Sequence, residues 1–552
     1  MRRLSRTGLL VGGLATVVLA IGTTVSSAAT IGFTAPVKLA GNCGGEPSID
    51  LDGKGHVYVS SPKGIVAGFA SCDGLLTRTS GVATWASSNG GTTFGPKITV
   101  GTINGGGDSD TAVDPLNGDV YIADLEAVAA EVCVSTDRGQ TYHTVFTGAE
   151  SCSTPTTFTG QTGPENDRQW INVYGPSATY PHKDVYLSYH DFATGLPLVF
   201  RSQDGGPFLP LPPPSIAAAD PTIAAAVANG TVVAKPVLDK DGGLYELVTT
   251  QATGNGPLQS LYLFKSTDHG MSWTASTVFD GTATGANIGL VFNDLAIDGG
   301  GNLYALTLGN TAGVAPPDNA YLFTSTDQGK TFSGAKKINA DANARGLAAL
   351  HGGPLAGQLV LGWFHSTNTS DTNTVTGQWK YQALESTNAT AAVPTFATAD
   401  LGSTSNPATG IVHQGQICTQ GILCTTGQLT GGGQGNRNLA DFSSVVVDQN
   451  GCAVFTYGDD GTIKPDQSNY AGTLVNNDVA RQTTGCFPTA LATAPSPAPV
   501  TASVASPLPS VLPNTAVAGG PGTLPGRAVL PLVILAVVGV PVVILACRFG
   551  RA

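Results

Sequence analysis

The strongest constraint in this chain is a pattern of eight residues that keeps returning. Ser266-Thr267-Asp268-His269-Gly270-Met271-Ser272-Trp273 is repeated as Ser325-Thr326-Asp327-Gln328-Gly329-Lys330-Thr331-Phe332 and as Ser135-Thr136-Asp137-Arg138-Gly139-Gln140-Thr141-Tyr142. A variant, Ser87-Ser88-Asn89-Gly90-Gly91-Thr92-Thr93-Phe94, carries Asn at the third place, and Ser202-Gln203-Asp204-Gly205-Gly206-Pro207-Phe208 is one residue shorter. An Asp or Asn side chain accepts hydrogen bonds from nearby backbone amides, Gly supplies a positive φ, and the closing aromatic packs the turn onto a sheet. Each of the three full copies follows a short apolar run (residues 261–264, 321–323 and 131–134), so the pattern reads as the connection within a β-hairpin.

These residues resemble the Asp-box, or BNR repeat, of sialidase-like β-propellers, with Asn89, Asp137, Asp204, Asp268 and Asp327 as its structural acid or amide. The resemblance implies an all-β propeller. It does not imply a reaction, because the family's Asp-boxes lie at the blade periphery.

A second repeat precedes the turns: an apolar strand ending near Asp, a Gly turn, then a strand bearing Tyr. Clear copies are Ile49-Asp50-Leu51-Asp52 with Val57-Tyr58-Val59, Ala112-Val113-Asp114 with Val120-Tyr121-Ile122, and Ala296-Ile297-Asp298 with Leu303-Tyr304-Ala305. Looser copies fall at 170–173 with 185–187 and 236–239 with 244–245, and two more, at 347–351 with 359–363 and 442–448 with 453–457, lack a good turn downstream. Seven strand pairs predict seven blades, with six as the alternative. Thr34-Ala35-Pro36-Val37-Lys38-Leu39 resembles the outer-strand segment 94–100, which predicts that the N-terminus closes the last blade. No amphipathic helix is expected outside the two termini.

The chain ends are of a different kind. Residues 1–29 read as a signal peptide, with Arg2, Arg3 and Arg6, an apolar run at 8–21 and small residues Ser27, Ala28 and Ala29. The propeller is expected over 30–486. Residues 487–526 hold no charge and are rich in Pro, Ala, Ser and Thr, a composition that buries no core and reads as a stalk reaching roughly 100 Å. Residues 527–552 supply an apolar stretch long enough for a transmembrane helix, followed by Arg548 and Arg551 as a basic cytoplasmic tail. Leu512-Pro513-Asn514-Thr515-Ala516 resembles a sortase signal, which makes cell-wall attachment the alternative to membrane retention.

The eight cysteines at 43, 72, 133, 152, 418, 424, 452 and 486 suit an oxidising compartment, and pairing of neighbours is the economical expectation: 43 with 72, 133 with 152, 418 with 424, 452 with 486. A net charge of −12 argues against a nucleic-acid partner, so an extracellular glycan or protein is expected, met by a monomer.

The resemblance also implies a chemistry to test. Sialidases hold a substrate carboxylate with three Arg, use a Tyr assisted by Glu, and carry a Phe/Tyr-Arg-Ile-Pro signature on the first strand. The matching place is Gly44-Gly45-Glu46-Pro47, where Pro is kept, the Arg position falls on Gly45, and Glu46 would repel a carboxylate. Arg168, Arg345, Arg437 and Tyr457, the last followed by Asp459 and Asp460, are the residues from which an exo-α-sialidase-like glycoside hydrolase would have to be rebuilt. Against that stands a non-catalytic glycan- or protein-binding module. At or near the inner-strand starts fall Glu46, Asp108, Asp110, Asp167, Arg168, Lys235, Asn293, Asp294 and Asp441, predicting an acidic channel mouth with isolated cations that suits a polar glycan or Ca²⁺. The eight His form no ligand spacing.

Overall fold

The computed structural model describes residues 30–41, 45–62, 82–100, 106–126, 129–144, 168–191, 194–251, 257–289, 292–313, 318–417, 438–461 and 475–490. Contacts divide the chain into a compact unit, residues 1–492, and the segment 493–552, which lies outside the described residues together with both chain termini. No helix among the described residues is long and apolar enough to cross a membrane.

Among the described residues the strands form seven antiparallel sheets, each a blade in chain order. Their innermost strands are Ser48–Leu51, Gly106–Val113, Trp170–Tyr174, Val237–Leu238, Asp294–Ile297, Arg345–Gly352 and Ser444–Val447. Each of these touches the next, and Ser444–Val447 touches Ser48–Leu51, so the seven blades close into a ring around a central channel. The pair at 236–245 is a full blade, which decides for seven over six.

The period of two along each strand explains the packing. In blade 3, Val185, Leu187 and Tyr189 turn toward blade 2, while Tyr186 turns toward blade 4. Repeating this around the ring yields seven hydrophobic clusters, one in each gap between blades. Both faces of every sheet are thus buried, and stability resides between blades rather than in one central core.

The eight-residue turns behave as the side-chain chemistry demands. In the copy at Asp268, Oδ1 accepts from the Ser266 hydroxyl at 2.8 Å and from the Ser272 amide at 2.8 Å, and Ser266 Oγ accepts from Gly270 N at 2.8 Å. Asp327, Asp137 and Asn89 repeat these bonds. The residue ahead of the Gly is left-handed as well: Arg138, His269 and Gln328 have φ of 62°, 59° and 60°. The shortened copy departs from expectation. With one residue fewer, Asp204 itself becomes left-handed (φ 52°) and its carboxylate turns outward to His182 Nδ1 at 2.6 Å and the Lys183 amide at 2.9 Å. Blade 6 carries a turn that the sequence pattern hid: Asn388 Oδ1 accepts from Ser386 Oγ at 3.0 Å and from Thr395 N at 2.9 Å, the spacing stretched by three residues.

The second repeat also acquires a reason. Asp52, Asp239, Asp298 and Asp448 each accept two backbone amides across the first hairpin of their blade. In blades 4 and 5 the Tyr of the next strand bonds the same carboxylate, Tyr245 to Asp239 at 3.0 Å and Tyr304 to Asp298 at 2.6 Å.

Two short helices, Pro214–Ala217 and Pro221–Val227, follow blade 3 where none was expected. Asp220 caps the second by accepting from Thr222 N and Ile223 N, and Pro221 takes the first-turn place that needs no N–H. Only Ile223 and Val227 are buried, one helical turn apart, too short a stripe to show as periodicity.

Ring closure follows the expectation. Gly32–Phe33 and Val37–Lys38 both pair with the last strand, Asn476–Thr484. Leu39 is fully buried between blades 7 and 1. Cys452 and Cys486 form the expected disulfide and fasten the end of the last strand to the first hairpin of blade 7. Cys133 is disulfide-bonded too, while cysteines 43, 72, 152, 418 and 424 lie outside the described residues.

Candidate functional site

The channel holds a cavity of about 280 Å³ walled by the innermost strands of all seven blades. Its polar side chains repeat one device. Asp50 of blade 1 accepts the Val113 amide of blade 2 at 2.7 Å, Asp110 of blade 2 accepts the Ile171 amide of blade 3 at 2.8 Å, and Asp294 of blade 5 accepts the Leu350 amide of blade 6 at 2.9 Å. Between blades 3 and 4 the next residue is Pro236, which has no amide hydrogen. There the acceptor is replaced by a donor, Asn172 Nδ2, reaching the Pro236 carbonyl at 2.9 Å.

The expected acidic mouth is therefore partly a set of inter-blade staples. Lys235 binds Asp110 at 3.0 Å and the Thr111 carbonyl at 2.9 Å, and Ser48 Oγ adds a bond to Asp110 at 2.7 Å. Burial pushes Asp50 up to about 6 and Asp294 up to about 7, against the pull of their amide partners and of Lys235. Burial and the same lysine lower His351, whose Nδ1 bonds the Gly352 carbonyl at 2.7 Å. Sequence reasoning had placed Asp110, Lys235 and Asp294 here and missed Ser48, Asp50, Asn172 and His351.

Toward the strand starts the channel is narrowed by aromatic rings from three blades. Trp170 stands edge-on to Phe442 at 5.5 Å and to Phe292 at 5.8 Å. The guanidinium of Arg168 lies over Trp170 at 4.1 Å and over Phe442 at 4.0 Å, a cation clamped between two π faces. Arg168 is buried; its Nη2 donates to the Ser109 carbonyl of blade 2 at 2.9 Å, and its Nε and Nη1 have no hydrogen-bond partner among the described residues.

The other nominated residues fall as follows. Arg345 is buried, pairs with Asp341 at 2.6 Å within its own segment rather than across blades, and sits 5.5 Å from the Trp363 ring. Tyr457 is fully buried, its ring stacked on Tyr381 at 4.4 Å and its hydroxyl donating to the Gly402 carbonyl at 3.1 Å; burial and Asp478 push it well above the usual phenol range. Asp460 pairs with His413 Nδ1 at 2.7 Å and accepts from Asn438 at 2.9 Å. Glu46 and Asp441 are buried at the starts of blades 1 and 7, and the Asp108 carbonyl accepts from Gln169 Nε2 at 2.6 Å. Asp167 and Arg437 lie outside the described residues. Thus Glu46, Asp108, Asp441 and Arg168 stay at the strand starts, while Asp110 and Asp294 belong to the cavity.

Two backbone features mark this end. Glu46 and Ala440, just ahead of the innermost strands of blades 1 and 7, and Leu347, at an irregularity within that of blade 6, have φ of 53°, 60° and 52°, a strained region for side chains of this kind. At Gly45 a Cβ would meet the Leu439 carbonyl oxygen at 2.3 Å, so no larger residue fits where the family signature has Arg. Among the described residues no group of three or more His, Cys, Asp and Glu stands close enough to hold a metal ion, and Ca²⁺ finds no ready cage there.

No family model and no curated protein sequence matches this chain. Solved structures with a similar strand arrangement include a protein of unknown function from Dyadobacter fermentans (13% identity, TM-score 0.41, covering 82% of this chain and 98% of that one). A leech intramolecular trans-sialidase (11%, TM-score 0.38, covering 83% and 70%) and an α-L-arabinofuranosidase of Fusarium graminearum (13%, TM-score 0.38, covering 67% and 91%) are also similar.

Proposed function

We propose that this chain is a sialidase-like propeller that binds an extracellular glycan or protein, without turning it over, through the face where the innermost strands begin. The observation that carries the reading is Gly45. The Leu439 carbonyl occupies the place of any side chain there, so the first carboxylate-binding Arg of the family pattern has no room. Arg345 and Tyr457 support the same reading, since each is committed to packing and hydrogen bonds inside the ring.

A second reading, an exo-α-sialidase-like glycoside hydrolase, is favoured by one fact. Two buried donors of Arg168 have no hydrogen-bond partner among the described residues, and an anionic group that reached them would gain charge-assisted hydrogen bonds. The signal-like N-terminus and the apolar C-terminal stretch support export and retention at the cell surface, by a membrane helix or by sortase attachment at Leu512-Pro513-Asn514-Thr515-Ala516.

The test is to offer the purified protein fluorogenic sialosides, a panel of aryl glycosides, and a glycan array with and without Ca²⁺. Array binding with no turnover supports the module. Turnover that Arg168→Ala abolishes replaces it with the hydrolase.

A further inference from the structure

Among the described residues, the wall of the channel cavity carries three carboxyls, one ammonium and one imidazole: Asp50, Asp110, Asp294, Lys235 and His351. They are not equally available. Asp110 is buried and engaged by Lys235, by Ser48 and by the Ile171 amide. Asp50 and Asp294 stand deep inside the ring and are nevertheless only half-buried, so the surface they keep faces the cavity. Backbone amides hold both in place, one to each oxygen: Leu51 and Val113 on Asp50 at 2.8 and 2.7 Å, Leu295 and Leu350 on Asp294, both at 2.9 Å. A carboxylate oxygen has a second lone pair, so each acid can still accept from a ligand.

A third acceptor lies in the same wall. Asn293, next to Asp294, is 4% exposed; its Nδ2 donates to Thr249 Oγ1 at 2.7 Å, and its Oδ1 has no hydrogen-bond partner among the described residues. A buried amide oxygen left unpaired costs the protein free energy that an arriving donor restores. Around these acceptors stand the rings of Trp170, Phe292 and Phe442, whose faces favour a cation and the carbon attached to it.

We propose that the channel cavity binds a primary ammonium carried on a small ring or chain, its three N–H donors shared among Asp50, Asp294 and Asn293 and its carbon body set against the three aromatic rings. The inference rests on the reading of the propeller as a binder and names the chemistry its channel takes. A hard metal ion is the poorer match, since it asks for about six to eight converging oxygens and no cluster of three acidic, His or Cys ligands stands among the described residues. An ammonium needs three acceptors. An anion is repelled by the same two acids, because Lys235 is already bound to Asp110 and to the Thr111 carbonyl. At about 280 Å³ the cavity lies at the small end of ligand sites, with room for a body of monosaccharide size. The acids also make binding depend on pH. Burial raises Asp50 to about 6 and Asp294 to about 7, Asp110 adding to the rise and Lys235 opposing it, while His351 and Tyr381 beside them stay neutral in that range. Both acids are thus ionised at pH 8 and protonated at pH 5.5, and the ammonium prefers the former.

The experiment is calorimetric titration of the purified protein with two amines and their hydroxyl counterparts: 6-amino-6-deoxyglucose against glucose, and cyclohexylamine against cyclohexanol. Each pair differs in the ammonium alone. At least one amine is expected to bind at pH 8, about tenfold more tightly than at pH 5.5, and its hydroxyl counterpart not to bind. Tighter binding of the amino sugar identifies a glycan amine as the source, tighter binding of cyclohexylamine an apolar one, and either supports the site. Asp294→Asn keeps an acceptor for the Leu350 amide and should weaken the amine about tenfold; Asp50→Asn serves if that variant does not fold, and the wild-type comparisons need neither. Silence of both amines up to about 10 mM, a counterpart that binds as well as its amine, or an affinity indifferent to pH overturns the proposal. A glycan array positive for neutral glycans while both amines are silent sinks this inference and leaves the binding reading standing.

Discussion

Asp268 and Ser272 hold each other twice, amide to Oδ1 at 2.8 Å and hydroxyl to Oδ2 at 2.5 Å, across a turn whose middle residues His269 and Gly270 are both left-handed. The turn leans on that grip: without it the Ser266 Oγ–Gly270 N bond is left to hold the left-handed His269 backbone. Asp268→Ala is expected to lower unfolding stability by about 1–3 kcal/mol, read by urea titration, with ligand affinity unchanged. Asp204→Ala should lower stability by less, because Asp204 is exposed and bonds His182 and the Lys183 amide rather than closing its own turn. Equal losses in the two variants would show that the shortened copy works like the others.

Leu39 follows the closing strand and is fully buried between blades 7 and 1. Leu39→Ala should cost about 2–4 kcal/mol, and removal of residues 30–39 should abolish cooperative unfolding altogether. Calorimetry of the truncated chain decides: an unchanged transition would mean that blade 7 stands without its fourth strand.

Glu246 is fully buried between blades 3 and 4 on the same side of its strand as Leu244 and Val248, and neither of its oxygens has a partner among the described residues. Burial alone pushes it up from the ordinary 4.5 to about 8. The unfolded chain then ionises near its ordinary value while the folded one keeps its proton, so stability falls as pH rises from 4.5 to 8 and levels off above. Glu246→Met should remove this decline and raise stability at pH 8 by about 2 kcal/mol. Thermal melts of both proteins from pH 4 to 9 test it; parallel curves would clear Glu246 of the effect.

The Cys452–Cys486 disulfide encloses a separation of 34 residues. Cys452→Ser with Cys486→Ser should lower stability by about 3–4 kcal/mol. Trypsin susceptibility under native conditions should rise first at the end of the last strand, and cleavage beginning in another blade would argue against the disulfide as a local fastener.

What the sequence disclosed was whatever repeats within one blade. The turns at Asp137, Asp268 and Asp327 and the hairpins at Asp52, Asp114 and Asp298 have partners within a few residues, so a short window contains both halves of each interaction. The channel is different. Asp110 is held by Ser48 and by Ile171, 62 and 61 positions away, and by Lys235, 125 positions away. Such neighbours exist only once the ring is closed, which is why Asp50, Asn172 and His351 carried no signal. Gly45 lies between these cases. Its lack of a side chain was plain, but the reason is the backbone of residue 439 arriving from the far end of the chain. The short helices escaped because the Pro-rich run at 210–214 masks a helix that begins only after Asp220.

The bond between Thr483 and the Gly32 carbonyl spans 451 positions. A segment made first is thus completed by a strand made last, and during synthesis six blades can assemble while the seventh is still a promise. Throughout that interval residues 32–38 remain an unpaired strand, able to accept any passing edge. Mispairing in this window, rather than loss of the finished ring, is the hazard built into such an assembly, and speed of delivery of residues 476–484 sets how long it lasts.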